Sequence, residues 1–278
     1  MRNRQSANAK INLCLHVTAQ RTDGYHLLDS LVVFADFGDV VDCRKADDFS
    51  FAINGPFGGD LSVGQDNLIT RAAGLLGHGG AHVQLTKNLP VSSGIGGGSA
   101  DAAAALHGLS ELWDVSLPDD NGLSLGADVP VCLASRATRM QGIGDHLTPV
   151  NFLPLMAAVL VNSGDAVSTP TIFSSLETKA NPEINSLPDH RLNFDETIEY
   201  LRQLRNDLEK PAITHTPKIA QVLRALSKTN AALVRMSGSG ATCFGLYHDI
   251  ISAQKAADTI QGENPTWWVQ PVMLNVRG

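Results

Sequence analysis

Between Ala9 and Val17 apolar and polar positions alternate, with Ile11, Leu13, Leu15 and Val17 on one side and Lys10, Asn12, Cys14 and His16 on the other. That is the period of a half-buried strand, and it points Lys10 and Asn12 the same way. A loop over residues 20–25 leads to an extended apolar stretch from Leu27 to Phe37, a turn at Gly38-Asp39 and a further strand from Val40 to Cys43. The chain therefore opens in antiparallel β-structure. Residues 66–76 carry a helical pattern capped by Asp66 and stopped by the glycine-rich residues 77–80. His78 and His82 stand four apart there, but among glycines and without the glutamate of a zinc-protease helix, so they read as solvent loop.

Val83 to Leu85 predicts a short strand, residues 87–100 a loop, and Asp101 to Trp113 an alanine-rich helix of high propensity. A near-continuous apolar run from Leu155 to Val161 has the pattern of a central strand. Residues 178–193 read as polar surface loop, with helices expected around 196–208 and 217–227. Ala232 to Met236 and Cys243 to Tyr247 read as strands, followed by a helix over 251–260; Trp267 and Trp268 pack in the last strand region. This order of strands and helices indicates an α+β fold.

With 278 residues, and about 150 per domain as the working size, the chain has room for two modest domains. Its composition, 43% hydrophobic and 18% charged, is that of a folded globular protein. A formal charge of −7 argues against a general nucleic-acid or anionic-membrane binder, since both depend on a basic face. Any phosphate site must be local. The four cysteines form no CxxC pair, which suits reduced thiols and a cytoplasmic protein, and no apolar stretch long enough to span a membrane occurs.

The sharpest local feature is the run Pro90, Val91, Ser92, Ser93, Gly94, Ile95, Gly96, Gly97, Gly98, Ser99, Ala100, directly before the alanine-rich helix. Backbone this free of Cβ atoms can approach a polyphosphate, and helix-start N–H groups with the helix dipole favour negative charge. It is not a Walker loop, because no lysine in the chain directly follows a glycine, and Ser99 spoils a dinucleotide fingerprint. A second cluster, Ser237-Gly238-Ser239-Gly240-Ala241-Thr242, joins two strands.

Together these two runs resemble the GHMP family, that of galactokinase, homoserine kinase, mevalonate kinase and phosphomevalonate kinase. The segments around Lys10-Ile11-Asn12, Gly24-Tyr25-His26, Asn67-Leu68, Gly126-Ala127-Asp128 and Thr169-Pro170-Thr171-Ile172-Phe173 resemble the branch that phosphorylates an alcohol carried on cytidine diphosphate. The resemblance implies a two-domain GHMP kinase fold: residues 1–153 as an ATP-binding domain like domain 2 of ribosomal protein S5, and 154–278 as a ferredoxin-like domain. It implies Lys10 and Asp128 as the catalytic pair. ATP would be bound by Asn67 and Lys87 toward adenine and by Pro90 through Ala100 around the phosphates, with Lys87 adding positive charge. Asn12, Tyr25, His26, Thr169 and Phe173 are the implied substrate contacts, Tyr25 and Phe173 sandwiching the cytosine. Gly238, Ser239 and Gly240 form the second glycine loop. Mg2+ is expected with ATP, and its protein ligands are not apparent from the sequence.

Two departures stand out. Val32 replaces an aromatic residue that relatives can carry, and residues 115–125 are about one helical turn shorter than the resemblance predicts and poor in helix formers. A family kinase for homoserine, mevalonate or a sugar remains an alternative reading, as does a nucleotide-binding protein without transfer activity.

Overall fold

The computed structural model describes residues 2–59, 61–77 and 79–275; His78 lies outside them. Strand β1 spans Arg2–Gln20 and pairs with β2, His26–Lys45. The alternation in β1 does not divide a core face from a solvent face. Lys10, Asn12, Cys14 and His16 are 4%, 1%, 0% and 1% exposed, as buried as the apolar positions between them. Protein covers both sides of the strand, so its polar side chains must find partners inside.

The turn expected at Gly38-Asp39 is absent, and β2 continues through it. A Cβ at Gly38 would stand 2.1 Å from the Ala7 carbonyl oxygen. The glycine admits a close pass of β1 instead of reversing the chain.

By spatial contact the chain divides into two units, residues 1–10, 37–91 and 96–135, and residues 11–36, 92–95 and 136–278. In the first, β3 (Ser50–Asn54) pairs in parallel with β4 (Ala81–Thr86), and β4 pairs antiparallel with the second half of β2, Val40 opposite Thr86. Helix α1 (Leu68–Leu75) is capped by Asn67, whose side chain accepts from the Ile69 N–H at 2.9 Å. Asp66, the cap expected from sequence, accepts instead from the Ser62 hydroxyl. Helix α2 (Gly97–Trp113) begins four residues before the predicted start, inside the glycine run. It packs between α1 and α3 (Val129–Ala134), burying Ala102 to Leu106 and Leu109. Residues 119–125 form turns, with Asp120 accepting from the N–H groups of Gly122 and Ser124.

In the second unit the first half of β2 pairs with β5 (Thr138–Gly142), and β5 with β6 (His146–Pro149). Then follow β7 (Met156–Asn162), α4 (Thr169–Ser174), α5 (Phe194–Arg202), α6 (Glu209–His215), α7 (Lys218–Ser227), β8 (Leu233–Met236), β9 (Cys243–Tyr247), α8 (Ile250–Glu263) and β10 (Trp268–Leu274). Every residue of β7 is buried, and it lies between β10 and β9, with β8 beyond β9, all antiparallel. The helix expected over 196–208 stops at Arg202, and α6 is new; Pro211 sits in its first turn, where a missing N–H costs little. Residues 178–193 carry no regular element, but they are tied down. Asp29 receives two bonds from the Arg139 guanidinium, at 2.8 and 2.7 Å, and one from the Ile184 N–H at 2.8 Å.

All four cysteines are free and buried. Among the described residues no helix is long and apolar enough to cross a membrane.

The close pass at Gly38 sets an expectation. Gly38→Ala should lower the unfolding free energy by about 1–3 kcal/mol, the range for overpacking, seen as an earlier urea midpoint. An unchanged midpoint would contradict the contact.

Candidate active site

Helix α2 starts in residues that carry almost no side chains. Gly96 caps it without a side-chain hydrogen bond, so the first-turn N–H groups are left to an external acceptor. The turn rests on Lys10: a Cβ at Gly96 would lie 3.0 Å from Lys10 Cε. Lys10 Nζ donates to Asp128 Oδ2 at 2.7 Å. The lysine side chain is 5% exposed and the aspartate 34%, so the ammonium is sunk in the protein while the carboxylate meets solvent. Asp128 occupies the cap position of α3 without capping it, which leaves its carboxylate to Lys10. Ser99 Oγ comes within 3.9 Å of where a Cβ on Gly126 would stand, so the turn before Asp128 faces the first turn of α2. Sequence-predicted Lys10, Asp128 and the residues from Gly96 to Ala100 are thus brought together.

Lys87 behaves differently from the sequence expectation. It is 3% exposed and donates to Asp101 Oδ2 at 2.7 Å and to Asp39 Oδ2. Asp39 also accepts from the N–H groups of Asn88 and Leu89, at 2.5 and 2.8 Å. A buried ammonium is tolerable only when paired. Its charge is therefore committed to two carboxylates, and the free positive charge read from the sequence is corrected to an internal one. Burial pulls the Lys87 ammonium down, but Asp101 and Asp39 together hold it above its usual range. Burial pushes the Asp101 carboxyl up to about 8, against the pull of Lys87 and with Asp39 adding to the rise. Asn67 is also engaged, its carboxamide bonded to the Ile69 N–H and the Ser62 carbonyl.

In the second unit the two glycine clusters meet backbone to backbone. A Cβ at Gly94, whose φ is +75°, would stand 2.6 Å from the carbonyl oxygens of both Gly240 and Ser237. Only a residue without one fits. Ser237 Oγ donates to the Gly94 carbonyl and accepts from the Asn12 N–H, both at 3.1 Å. Asn206 donates to the carbonyls of Met236 and Gly238 at 2.8 and 2.9 Å, pinning the second loop. Asn12 donates to Ser30 Oγ, and its own Oδ1 is buried without a partner. Thr169 and Ser239 share a hydroxyl–hydroxyl bond of 2.7 Å.

The His26 ring stacks on Phe173, with centroids 5.0 Å apart and planes 28° from parallel, while Tyr25 is 61% exposed. His26 Nε2 is buried and unpartnered. Burial, helped by Lys179, lowers the histidine pKa, which favours the neutral ring with one nitrogen free to accept.

Sequence reasoning missed Asp39, Asp101, Ser237 and Asn206. Asp39 stands 48 residues from Lys87, and Ser237 143 from Gly94, separations over which no local pattern carries a signal. Among the described residues no group of three histidine, cysteine, aspartate or glutamate side chains could hold a metal ion.

The family model for the GHMP kinases N terminal domain matches residues 67–147, and that for the GHMP kinases C terminal domain matches residues 190–265. The 4-diphosphocytidyl-2-C-methyl-D-erythritol kinase of Cereibacter sphaeroides is 53% identical over 275 residues, covering 96% of this chain and 98% of that one. Its namesake from Rhizobium meliloti is 49% identical, covering 95% and 93%. The crystal structure of a 4-(cytidine 5'-diphospho)-2C-methyl-D-erythritol kinase superposes with a TM-score of 0.81 at 29% identity, over the whole of both chains. A homoserine kinase from Cytophaga hutchinsonii, at 17% identity and a TM-score of 0.63, shares the fold.

The interlock of the glycine clusters sets the second expectation. Gly94→Ala should lose about 1–3 kcal/mol of stability, whereas Gly262→Ala, where a Cβ meets nothing within 4 Å on α8, should be neutral or stabilising. Equal thermal-unfolding shifts in the two variants would contradict the interlock.

Proposed function

The chain belongs to the GHMP kinase family, and from that premise we propose that it transfers the γ-phosphoryl group of ATP to the 2-hydroxyl of 4-diphosphocytidyl-2-C-methyl-D-erythritol, releasing ADP, in the non-mevalonate route to isoprenoid precursors. The observation that carries the reading is the 2.7 Å Lys10–Asp128 pair beside a helix start free of side chains.

Phosphoryl transfer to an alcohol needs in-line positioning, neutralisation of phosphate charge and a group to orient the hydroxyl and take its proton. Asp128 Oδ accepts that proton as the substrate oxygen forms its bond to the γ-phosphorus and the bond to the ADP oxygen breaks. Lys10, held from below and donating to Asp128, fixes the carboxylate's orientation and stabilises alkoxide character on the attacking oxygen. The first-turn amides of α2, with the run from Pro90 through Ala100, take the phosphates. Asn67 and Lys87 lie toward adenine; both act through the backbone they brace, since their side chains are already bonded. Magnesium arrives as part of the ATP substrate.

His26 and Phe173 take the cytosine, the stack supplying affinity and the unpartnered nitrogen of His26 reading the base edge. Asn12 Oδ1 and the Thr169 hydroxyl supply further polar contacts, and Tyr25 stands free to close over the base. Gly238, Ser239 and Gly240 shape the approach of Gly94. The proposal keeps a domain division near residue 153, as the resemblance implies, and the cytoplasm as the compartment in which the pathway's small molecules would be met.

Two tests follow. Asp128→Asn should lower kcat by about 10²–10⁴-fold in a coupled ADP-release assay while calorimetry still registers both substrates; near-normal turnover would remove Asp128 from the role. Phe173→Ala should raise KM for the cytidyl substrate by about tenfold or more, from a stacking energy of about 1–3 kcal/mol, and leave KM for ATP unchanged. Phosphorylation of homoserine or mevalonate at rates matching the cytidyl alcohol would overturn the substrate assignment.

A further inference from the structure

Beneath the first turn of α2 lies a charge arrangement that the transfer reaction does not use. Asp39 on β2, Lys87 just past β4 and Asp101 on α2 form a closed group whose side chains are 0%, 3% and 6% exposed. A Cβ on Gly97 would stand 3.1 Å from Lys87 Nζ and 3.7 Å from Asp39 Oδ2, so the group sits directly under the turn. One ammonium faces two carboxylates. With both carboxylates ionised the group carries −1, and with one protonated it is neutral.

The bonds show which carboxylate holds the proton more readily. Asp39 is saturated, taking Lys87 on one oxygen and the N–H groups of Asn88 and Leu89 on the other. Asp101 takes Lys87 on Oδ2 only, and its Oδ1 is buried with no hydrogen-bond partner. An ionised carboxylate with a bare buried oxygen is costly. The direction of the Asp101 pKa agrees.

We infer that Asp39, Lys87 and Asp101 are positioning residues of the phosphate-binding turn, and that nucleotide binding requires one proton on this cluster, held at Asp101. Lys87 fastens α2 to β2 through its two carboxylates. With the proton in place the turn presents its amides over a neutral base; without it a buried negative charge lies under the incoming phosphates and opposes them. Binding above the cluster's titration draws that proton from solvent.

Other charges around the cluster do not cover this role. Cys132 on α3 is a buried thiol pushed well above its usual range, Lys10 is committed to Asp128, and Arg71 on α1 bonds the Ser124 carbonyl. Strand β3 brings no charged residue.

The inference rests on the ATP reading, and its test separates the two. ATP binding is measured by calorimetry without acceptor alcohol, in two buffers of different ionisation enthalpy. Between about pH 7.5 and about pH 9.5, above the nucleotide's own titration, the wild-type dissociation constant should rise about tenfold or more, with proton uptake on binding. Asp101→Asn, which supplies the neutral form permanently, should bind with a pH-flat constant and no proton uptake. A flat wild-type profile without proton exchange, or a rise in Asp101→Asn parallel to wild type, would overturn the inference and leave the ATP reading standing. Absence of ATP binding at every pH would overturn both. Should Asp101→Asn fail to fold, the wild-type proton count decides alone.

Discussion

A helix that begins Gly97-Gly98-Ser99 has almost no side chains with which to fix its own start, and each glycine costs roughly 1 kcal/mol of helix stability relative to alanine. Its position has to be imposed from beneath, and two buried lysines impose it. Lys10 lies under Gly96 and Lys87 under Gly97. Each is paired, Lys10 with Asp128 and Lys87 with Asp39 and Asp101, because an unpaired ammonium could not remain there. Bare amides can be offered to a polyphosphate only because rigid charged groups support the turn that carries them.

The two lysines divide the work. Asp128, the partner of Lys10, is 34% exposed, so that pair opens to solvent and can act on a substrate; the partners of Lys87 are closed in. In the proposed function a chain with a formal charge of −7 would handle phosphate with oriented amides and one outward-facing ion pair, not with a basic surface. The second glycine cluster makes a comparable backbone brace for Gly94, through Ser237 and the carbonyl of Gly240.

What was legible in the sequence was local. The glycine run before an alanine helix and the repeating strand pattern around Lys10 are short-range signals, and the structure keeps both, starting the helix four residues sooner. The misreadings share one cause. Gly38-Asp39 reads as a turn until Ala7 is known to pass at van der Waals distance or less from any Cβ there. Lys87 reads as a free cation until Asp39, 48 residues away, is seen against it. Alternation in β1 reads as half-buried because a strand covered on both faces by polar contacts has the same period as one facing water. The stacking of His26 on Phe173 joins residues far apart in the chain, a contact that no periodicity signals.

The central claim is that Lys10 and Asp128 act as a unit on the attacking hydroxyl, and a double-mutant cycle on single-turnover phosphoryl transfer tests it most directly. Lys10→Met and Asp128→Asn are each expected to slow transfer by about 10²-fold or more, and the double variant to be slower than the worse single by no more than a few fold, as for groups that work together. Losses that multiply in the double variant would show two independent contributions and contradict the account.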